Sequence, residues 1–468
     1  YTPREIVHYM CQESLVNYLD TAVNQDKDRV TRADIKTFVH LGDQISHYEA
    51  VETRYAIKMP KSIEQHARLI DEKLADITVC DPAVGSGAFP VGMMTEIVRA
   101  RSALTPYFND IHDRTPYHFK RHAIQDCLYG ADIDVGAVEI AKLRLWLSLV
   151  VDEEDVKQIK PLPNLDYKVV VGNSLLGVEK NLFNQEQFKR LEELKPKFFD
   201  ESDRKKKAQF KKQIEDLIHD LTNGRETFDF EIYFSEVFHR KTGFDVVIAN
   251  PPYIGESGHK ELFRATKEGP LGQYYLGKMD YFYFFFHLAL NLAKQEGEIA
   301  FISTNYYLTA TGARKLRADF KRRGLIRRLI NFNELRIFES AQGQHNIVTV
   351  LSRNSGDECV RTCITNRTGQ ATPDILSSIL GWKDDASRYY EVTQPELYDG
   401  GENYIRLNRE RATAGTVTPT INTILDKIVA QGELLGTIAN INQGVVSGCD
   451  YVSPRNEERL PAGAKVVR

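Results

Sequence analysis

The residues with the clearest chemical potential are Asn250-Pro251-Pro252-Tyr253, which follow the apolar run Phe244–Ala249. Two consecutive prolines lock the backbone and donate no N–H. Asn250 brings a side-chain oxygen and Pro251 a backbone carbonyl, so a planar amino group could donate one hydrogen bond to each. Tyr253 brings a ring face that could stack on the plane carrying that group. The plain alternative is a turn after a strand, capped by Asn250.

Two further constellations sit at the ends of apolar runs. Asp76–Cys80 (DITVC) leads into Asp81-Pro82-Ala83-Val84-Gly85-Ser86-Gly87, where Gly85 and Gly87 would let a ligand approach the backbone. The third glycine of a dinucleotide fingerprint would fall at position 90, which is Pro90, and this disfavours a nicotinamide cofactor. Cys127–Asp132 ends in a carboxylate that can accept hydrogen bonds from both hydroxyls of a ribose. Ile133 beside it can pack on an adenine face. These features suit an adenosine-bearing ligand and need no pyrophosphate.

The elements that must position these residues are legible as alternating strands and helices. Besides the runs above, Tyr167–Val171, Glu298–Ser303 and Ile347–Leu351 read as strands, and Phe89–Val98 and Val135–Leu149 as helices. The near-continuous apolar strands predict an α/β fold with a doubly wound, mostly parallel sheet. Residues 1–75 read as helical, with Thr2 as a cap and Pro3 in the first turn. The core is expected over 76–355. Within it, about 185–223 form a charged helical hairpin, either a solvated strut or a DNA-facing arm. A connecting region is expected over 356–430. A new apolar pattern starts near Leu434 and is too short to bury a core, so 431–468 reads as a truncated domain.

Composition sets the outer limits. The 468 residues are 42% hydrophobic and 27% charged, which excludes a fibre or a disordered chain. With 65 acidic and 61 basic residues the net charge is −4, so a uniformly basic nucleic-acid coat is excluded while a locally basic face is not. Cys11, Cys80, Cys127, Cys359, Cys363 and Cys449 show no CxxC spacing and read as reduced thiols with no metal role. The apolar stretch Tyr281–Leu292 falls short of the roughly 20 residues a bilayer requires. The chain opens on Tyr1 with no signal peptide, and reads as an internal piece of a longer polypeptide.

Taken in order, these motifs resemble the gamma-class adenine-specific DNA amino-methyltransferases that use S-adenosylmethionine, over about residues 1–355. Tyr1-Thr2-Pro3 matches the motif at the methionine end of the cofactor, and Asp81–Phe89 (DPAVGSGAF), with Ala83, Gly85 and Gly87, the cofactor loop. Asp132 matches the ribose carboxylate. Gly172–Leu175 (GNSL) matches the loop at the cofactor's adenine, with Asn173 where many relatives carry Asp. Asn250–Tyr253 matches the catalytic motif. The phrases YGADIDVGAVEIAKLRLWLSLV and GFDVVIANPPYIG are similar to the methylase parts of Type IIG and Type ISP restriction-modification enzymes and of BREX defence methylases. Ile441–Gly448 (INQGVVSG) resembles the start of their target-recognition domain.

The resemblance implies a Rossmann-like class I methyltransferase in a bacterial or archaeal cytoplasm. It implies methyl transfer to the N6 amino group of an adenine flipped out of double-stranded DNA, with a nuclease domain expected upstream in the native polypeptide. Phe338, in Glu334–Ser340 (ELRIFES), matches the second ring that stacks on the base; otherwise it is a core phenylalanine. Lys321-Arg322-Arg323 with Arg327 and Arg328 could meet phosphates near the flipped base or mark a solvated helix face. The competing functions are an N-methyltransferase acting on RNA or on a protein glutamine, and a cofactor-sensing module that gates an upstream nuclease.

Overall fold

Strands covered on both faces carry apolar residues on both sides of the pleat, and the six expected runs are contiguous in one nine-stranded sheet, with Val169–Val171 its edge strand. The computed structural model describes residues 2–25, 29–51, 58–151, 163–177, 185–222, 227–339, 343–356 and 358–408, with residues 428, 431 and 432. The chain divides into two units, Tyr1–Arg409 and Glu410–Arg468. Apart from those last three positions the second unit, with Ile441–Gly448 and Cys449, lies outside the described residues, as does Tyr1.

The sheet strands are β1 (Val79–Asp81), β2 (Leu128–Asp132), β3 (Val169–Val171), β4 (Phe244–Ala249), β5 (Ala293–Thr304), β6 (Leu325–Asn331), β7 (Asn346–Ser352), β8 (Cys359–Thr365) and β9 (Ser387–Thr393). Their order is β9-β8-β6-β7-β5-β4-β1-β2-β3. Only β7 and β9 run antiparallel to their neighbours. The doubly wound, mostly parallel sheet expected from the sequence is therefore present. The strand pattern gave no sign of β6, β8 or β9. In β6 (LIRRLIN) two arginines interrupt the apolar run, while β8 and β9 mix polar and apolar residues at the sheet's margin, continuing it beyond residue 355.

Successive β4 side chains serve two cores, as the two-residue strand period requires. Val246 and Ile248 join the face covered by α1 (Arg4–Asn24), α2 (Arg32–Val51) and α3 (Ala88–Leu104). Val247 and Ala249 join the face covered by α4 (Phe282–Leu292) and α5 (Arg314–Arg323). The aromatic stretch flagged in the sequence is thus a core helix. Among the described residues no helix is long and apolar enough to cross a membrane.

The helical hairpin forms as expected, α6 (Gln185–Asp200) then α7 (Arg204–Leu221), the second capped by Asp203. Leu191, Leu194, Phe198, Ile214 and Ile218 pack with Tyr167 and Ile232 in a core of their own. Tyr167 precedes β3, and Glu236, which pairs with Lys195 at 2.9 Å, precedes β4. The hairpin is therefore anchored near the amino ends of β3 and β4.

Helix α1 is buried along nearly its whole length, polar residues included. Gln12 donates to Glu96 at 3.1 Å, Asn17 to Glu298 at 3.1 Å, and Arg328 Nε to Glu13 at 2.6 Å. Arg327 Nε also donates to Glu298 at 3.2 Å. Burial pushes the Glu298 carboxyl up to about 7 against the pull of Arg327 and Arg32. A raised folded-state value favours the protonated form, so this group's stabilising contribution is complete below its ordinary value and is lost as pH rises towards 7. Glu298→Gln removes that titration. The stability of the variant relative to the parent is expected to rise between pH 5 and 7.5, by up to about 3 kcal/mol. Thermal unfolding of both proteins across that range measures it, and parallel curves would refute it.

Candidate active site

Strand order reverses at β1, with β2 and β3 on one side and β4 and β5 on the other. Ligands of open α/β sheets bind beyond the carboxyl ends of the strands at such a reversal. Val79 lies beside Val246 and Cys80 beside Val247 in parallel register. The chain consequently leaves the sheet at Asp81 and at Asn250 on the same rim, from adjacent strands.

On the β1 side, Asp81 is 1% exposed, and its Oδ1 accepts from the Ala83 N–H at 3.0 Å. Burial holds its carboxyl well above the usual range, with Asp132 nearby adding to the shift. Gly85 and Gly87 have φ of +48° and +78°, a region that favours glycine. A Cβ on Gly85 would meet nothing closer than Ala83 O at 4.0 Å, so the loop presents open backbone there.

Asp132 Oδ2 accepts from Gly85 N at 2.8 Å and its Oδ1 from Asp134 N at 3.0 Å. One carboxylate thus ties the β1 and β2 loops together, and each oxygen keeps a lone pair. Ile133 stands beside it 66% exposed. Asn173, after β3, turns its side-chain oxygen to Leu175 N at 3.0 Å. Two residues that lie within the quoted segments but have no role assigned from the sequence complete the loop. Ser174 Oγ donates to Pro82 O at 2.6 Å, and Arg144, on the helix Val135–Val150, donates to Ser86 O at 2.9 Å. The sequence gives no cue for Arg144, which reads as an ordinary position on a charged helix face.

On the β4 side, Asn250 Nδ2 donates to Thr2 Oγ1 at 3.1 Å. Thr2 stands just before Pro3, whose carbonyl accepts from Ile6 and Val7 at the start of α1. The Tyr253 hydroxyl lies 2.6 Å from Asn250 Oδ1 and 3.1 Å from the Ile302 carbonyl of β5. Burial pushes the Tyr253 phenol up, and the Asn346 side chain beside it pulls the other way. Pro251 is buried and Pro252 exposed.

Phe338 is half-buried, and its ring centroid lies 6.3 Å from that of Tyr253 at 60°. A flat group held between two ring faces needs roughly 7 Å between parallel planes, twice the carbon contact distance. The two aromatics are brought together as expected, but edge to face, so one must turn before anything can lie between them.

The basic run does not reach this rim. Helix α5 descends from the rim, and Arg322 and Arg323, at its far end, both pair with Asp319. Arg327 pairs with Glu298 and Glu358, and Arg328 with Glu13. These four arginines are paired within the fold and Lys321 donates to Asn403 at 3.0 Å, which weighs against the phosphate alternative for the run. Among the described residues no cluster of three or more His, Cys, Asp or Glu could hold a metal ion.

Residues 126–338 match the family profile described as the Eco57I restriction-modification methylase. The matched segment runs from just before β2 to Phe338. A putative type II restriction enzyme and methyltransferase of Methanocaldococcus jannaschii is 41% identical over 116 residues, covering 24% of this chain and 10% of that protein. A type II restriction enzyme and methyltransferase of Escherichia coli is 23% identical over 334 residues, 68% of this chain and 28% of that one. The chain therefore spans well under half the length of these relatives. Among solved structures, the Type IIL restriction-modification enzyme MmeI in complex with DNA aligns at 13% identity and a TM-score of 0.44, covering 80% of this chain and 40% of that one.

On the β1 lip of the rim, Gly87 caps helix α3 where a Cβ would stand 3.0 Å from Ala141 Cβ and 3.1 Å from its Cα. Gly87→Ala therefore combines a left-handed backbone with a clash against the neighbouring helix. The variant is expected to lose about 1–3 kcal/mol of stability. Chemical denaturation reads the loss, and an unchanged midpoint would show that the loop relaxes freely.

Proposed function

We propose that the chain is the methyltransferase part of a restriction-modification or related defence polypeptide, transferring a methyl group from S-adenosylmethionine to the N6 amino group of an adenine flipped out of DNA. The observation that carries this reading is the Asn250–Tyr253 motif at the end of β4, beside the open glycine loop at the end of β1 and tied to the chain start through Thr2. The family match over 126–338 supports it.

The β1–β2 rim suits the donor. The Asp132 carboxylate, with a lone pair left on each oxygen, would take the ribose hydroxyls. Exposed Ile133 would pack on the adenine ring, and the bare backbone at Gly85 leaves space for the methionine portion. Bound S-adenosylmethionine supplies a methyl group on a sulfonium, and hence a good leaving group.

The chain's own residues handle the acceptor. An exocyclic aromatic amine is a poor nucleophile because its lone pair is delocalised into the ring. Accepting one hydrogen bond each, Asn250 Oδ1 and the Pro251 carbonyl would favour a tetrahedral nitrogen with its lone pair turned towards the methyl. That stabilisation is realised chiefly in the transition state, and alignment of the two reactants adds to it. The new N–C bond forms as the C–S bond breaks, the sulfur keeping the electron pair. No carboxylate stands in the motif, so the proton leaves the nitrogen to solvent after the methyl has arrived. Flipping costs a few kcal/mol, which stacking on Tyr253 and a reoriented Phe338, worth about 1–3 kcal/mol per base, would offset.

Transfer of labelled methyl into unmodified duplex DNA, RNA and a glutamine-bearing protein separates this reading from its rivals. Label is expected in DNA, on adenine; label confined to RNA or protein would end the DNA assignment. Asn250→Ala should abolish transfer while leaving S-adenosylmethionine binding within about twofold by calorimetry. Asp132→Ala should do the reverse, weakening binding by at least about tenfold, as expected from losing two charge-assisted hydrogen bonds. Wild-type transfer by Asn250→Ala would refute the chemistry.

A further inference from the structure

An amide clamp works in only one orientation. If Asn250 presents its oxygen, an acceptor meets the incoming amino group; if it presents its nitrogen, donor faces donor. The amide oxygen and nitrogen are nearly alike in size and shape, so the hydrogen-bond partners must decide which lies where.

Here the partners are two hydroxyls, and each can donate or accept. The distances assign the sense. The 2.6 Å contact to Tyr253 Oη fits O–H···O and is short for N–H···O, whereas the 3.1 Å contact to Thr2 Oγ1 is ordinary for N–H···O. The oxygen therefore lies on the Tyr253 side, where the substrate ring would stack. The nitrogen lies towards Thr2, held by the buried helix α1. Burial keeps the Tyr253 phenol protonated and so able to donate.

We propose that the hydroxyls of Thr2 and Tyr253 are positioning groups that set the Asn250 amide, so that its oxygen and not its nitrogen meets the substrate amine. This rests on the amine-methylation reading above and gives both residues a role separate from cofactor contact and ring stacking. The Ile302 carbonyl, 3.1 Å from the same phenol, completes the device. As the amine arrives, the phenol proton can turn to that carbonyl and leave both lone pairs of Asn250 Oδ1 to the substrate.

The test uses single-turnover transfer of labelled methyl into unmodified DNA at saturating S-adenosylmethionine. Tyr253→Phe keeps the ring and removes the hydroxyl, and Thr2→Val is isosteric but cannot accept. Each is expected to slow transfer by about tenfold, or about 1.4 kcal/mol, with melting temperature and donor affinity nearly unchanged. Thr2→Ser should restore the rate to within about twofold. Because both hydroxyls act through one amide, the double variant should be little slower than the worse single. A double variant slowed by the full product would show independent roles and overturn the proposal, as would wild-type rates in both single variants. A variant that melts early is judged on Thr2→Ser, whose failure to restore the rate counts against the proposal. If the parent protein transfers no methyl to DNA, the amine-methylation reading falls and this one with it. If the parent transfers and the variants match it, only the positioning role falls.

Discussion

The reversal of strand order at β1 is the constraint on which the remaining chemistry depends. A parallel sheet wound in one direction would send the chain from the end of each strand back over the same face and leave no crevice. Because β2 and β4 flank β1 on opposite sides, the loops after β1 and β4 part and leave a gap over the carboxyl rim. Everything assigned to donor or acceptor binding hangs on that rim. Asp132, Asp81 and the two positive-φ glycines shape one lip, and Asn250 with its prolines the other.

The chain start is the second requirement. Helix α1 crosses the sheet face and buries Gln12, Glu13, Ser14 and Asn17 along with its apolar residues. Burying polar and charged groups costs free energy unless each is paired, and most of these are paired with residues on α3, β5 and β6. Such contacts contribute little net stability compared with an apolar helix, but they permit only one register of α1 on the sheet. That register places Thr2 within hydrogen-bond reach of Asn250. Misplacement by an ångström is costly in catalysis, which gives a physical reason for polar pairing where leucines would have been cheaper.

The central strands and the motif at the end of each were legible because parallel strands covered on both faces must be apolar throughout, and because Gly85, Gly87 and Pro251 carry backbone requirements that other residues do not meet. The hairpin was legible from its two apolar stripes. What stayed hidden was decided by tertiary pairing. Arg327 and Arg328 looked like a surface charge run, yet they lie on β6 opposite Glu298, Glu358 and Glu13, acids remote in sequence. Arg144 and Ser174 lock the glycine loop through single hydrogen bonds to carbonyls, a role that leaves no pattern. Thr2 was expected at the donor, and its bond to Asn250 spans the 248 positions between them.

The acceptor role proposed for Asn250 has a difficulty of its own. A buried oxygen without a donor costs roughly 1–3 kcal/mol, yet on the proposed reading the half-buried Asn250 oxygen would have to stand ready for a substrate that comes and goes. A water could satisfy it only if the site stayed wet, and a permanent protein donor would compete with the substrate. The Tyr253 hydroxyl avoids both, because its single proton has two acceptors within reach, the amide oxygen and the Ile302 carbonyl. Satisfaction can pass from one to the other by rotation of one C–O bond, with no movement of backbone or ring. The edge-to-face meeting of Tyr253 and Phe338 fits the same logic. In the structure the two rings contact each other, which shields part of the apolar surface that on the proposed reading would hold a base.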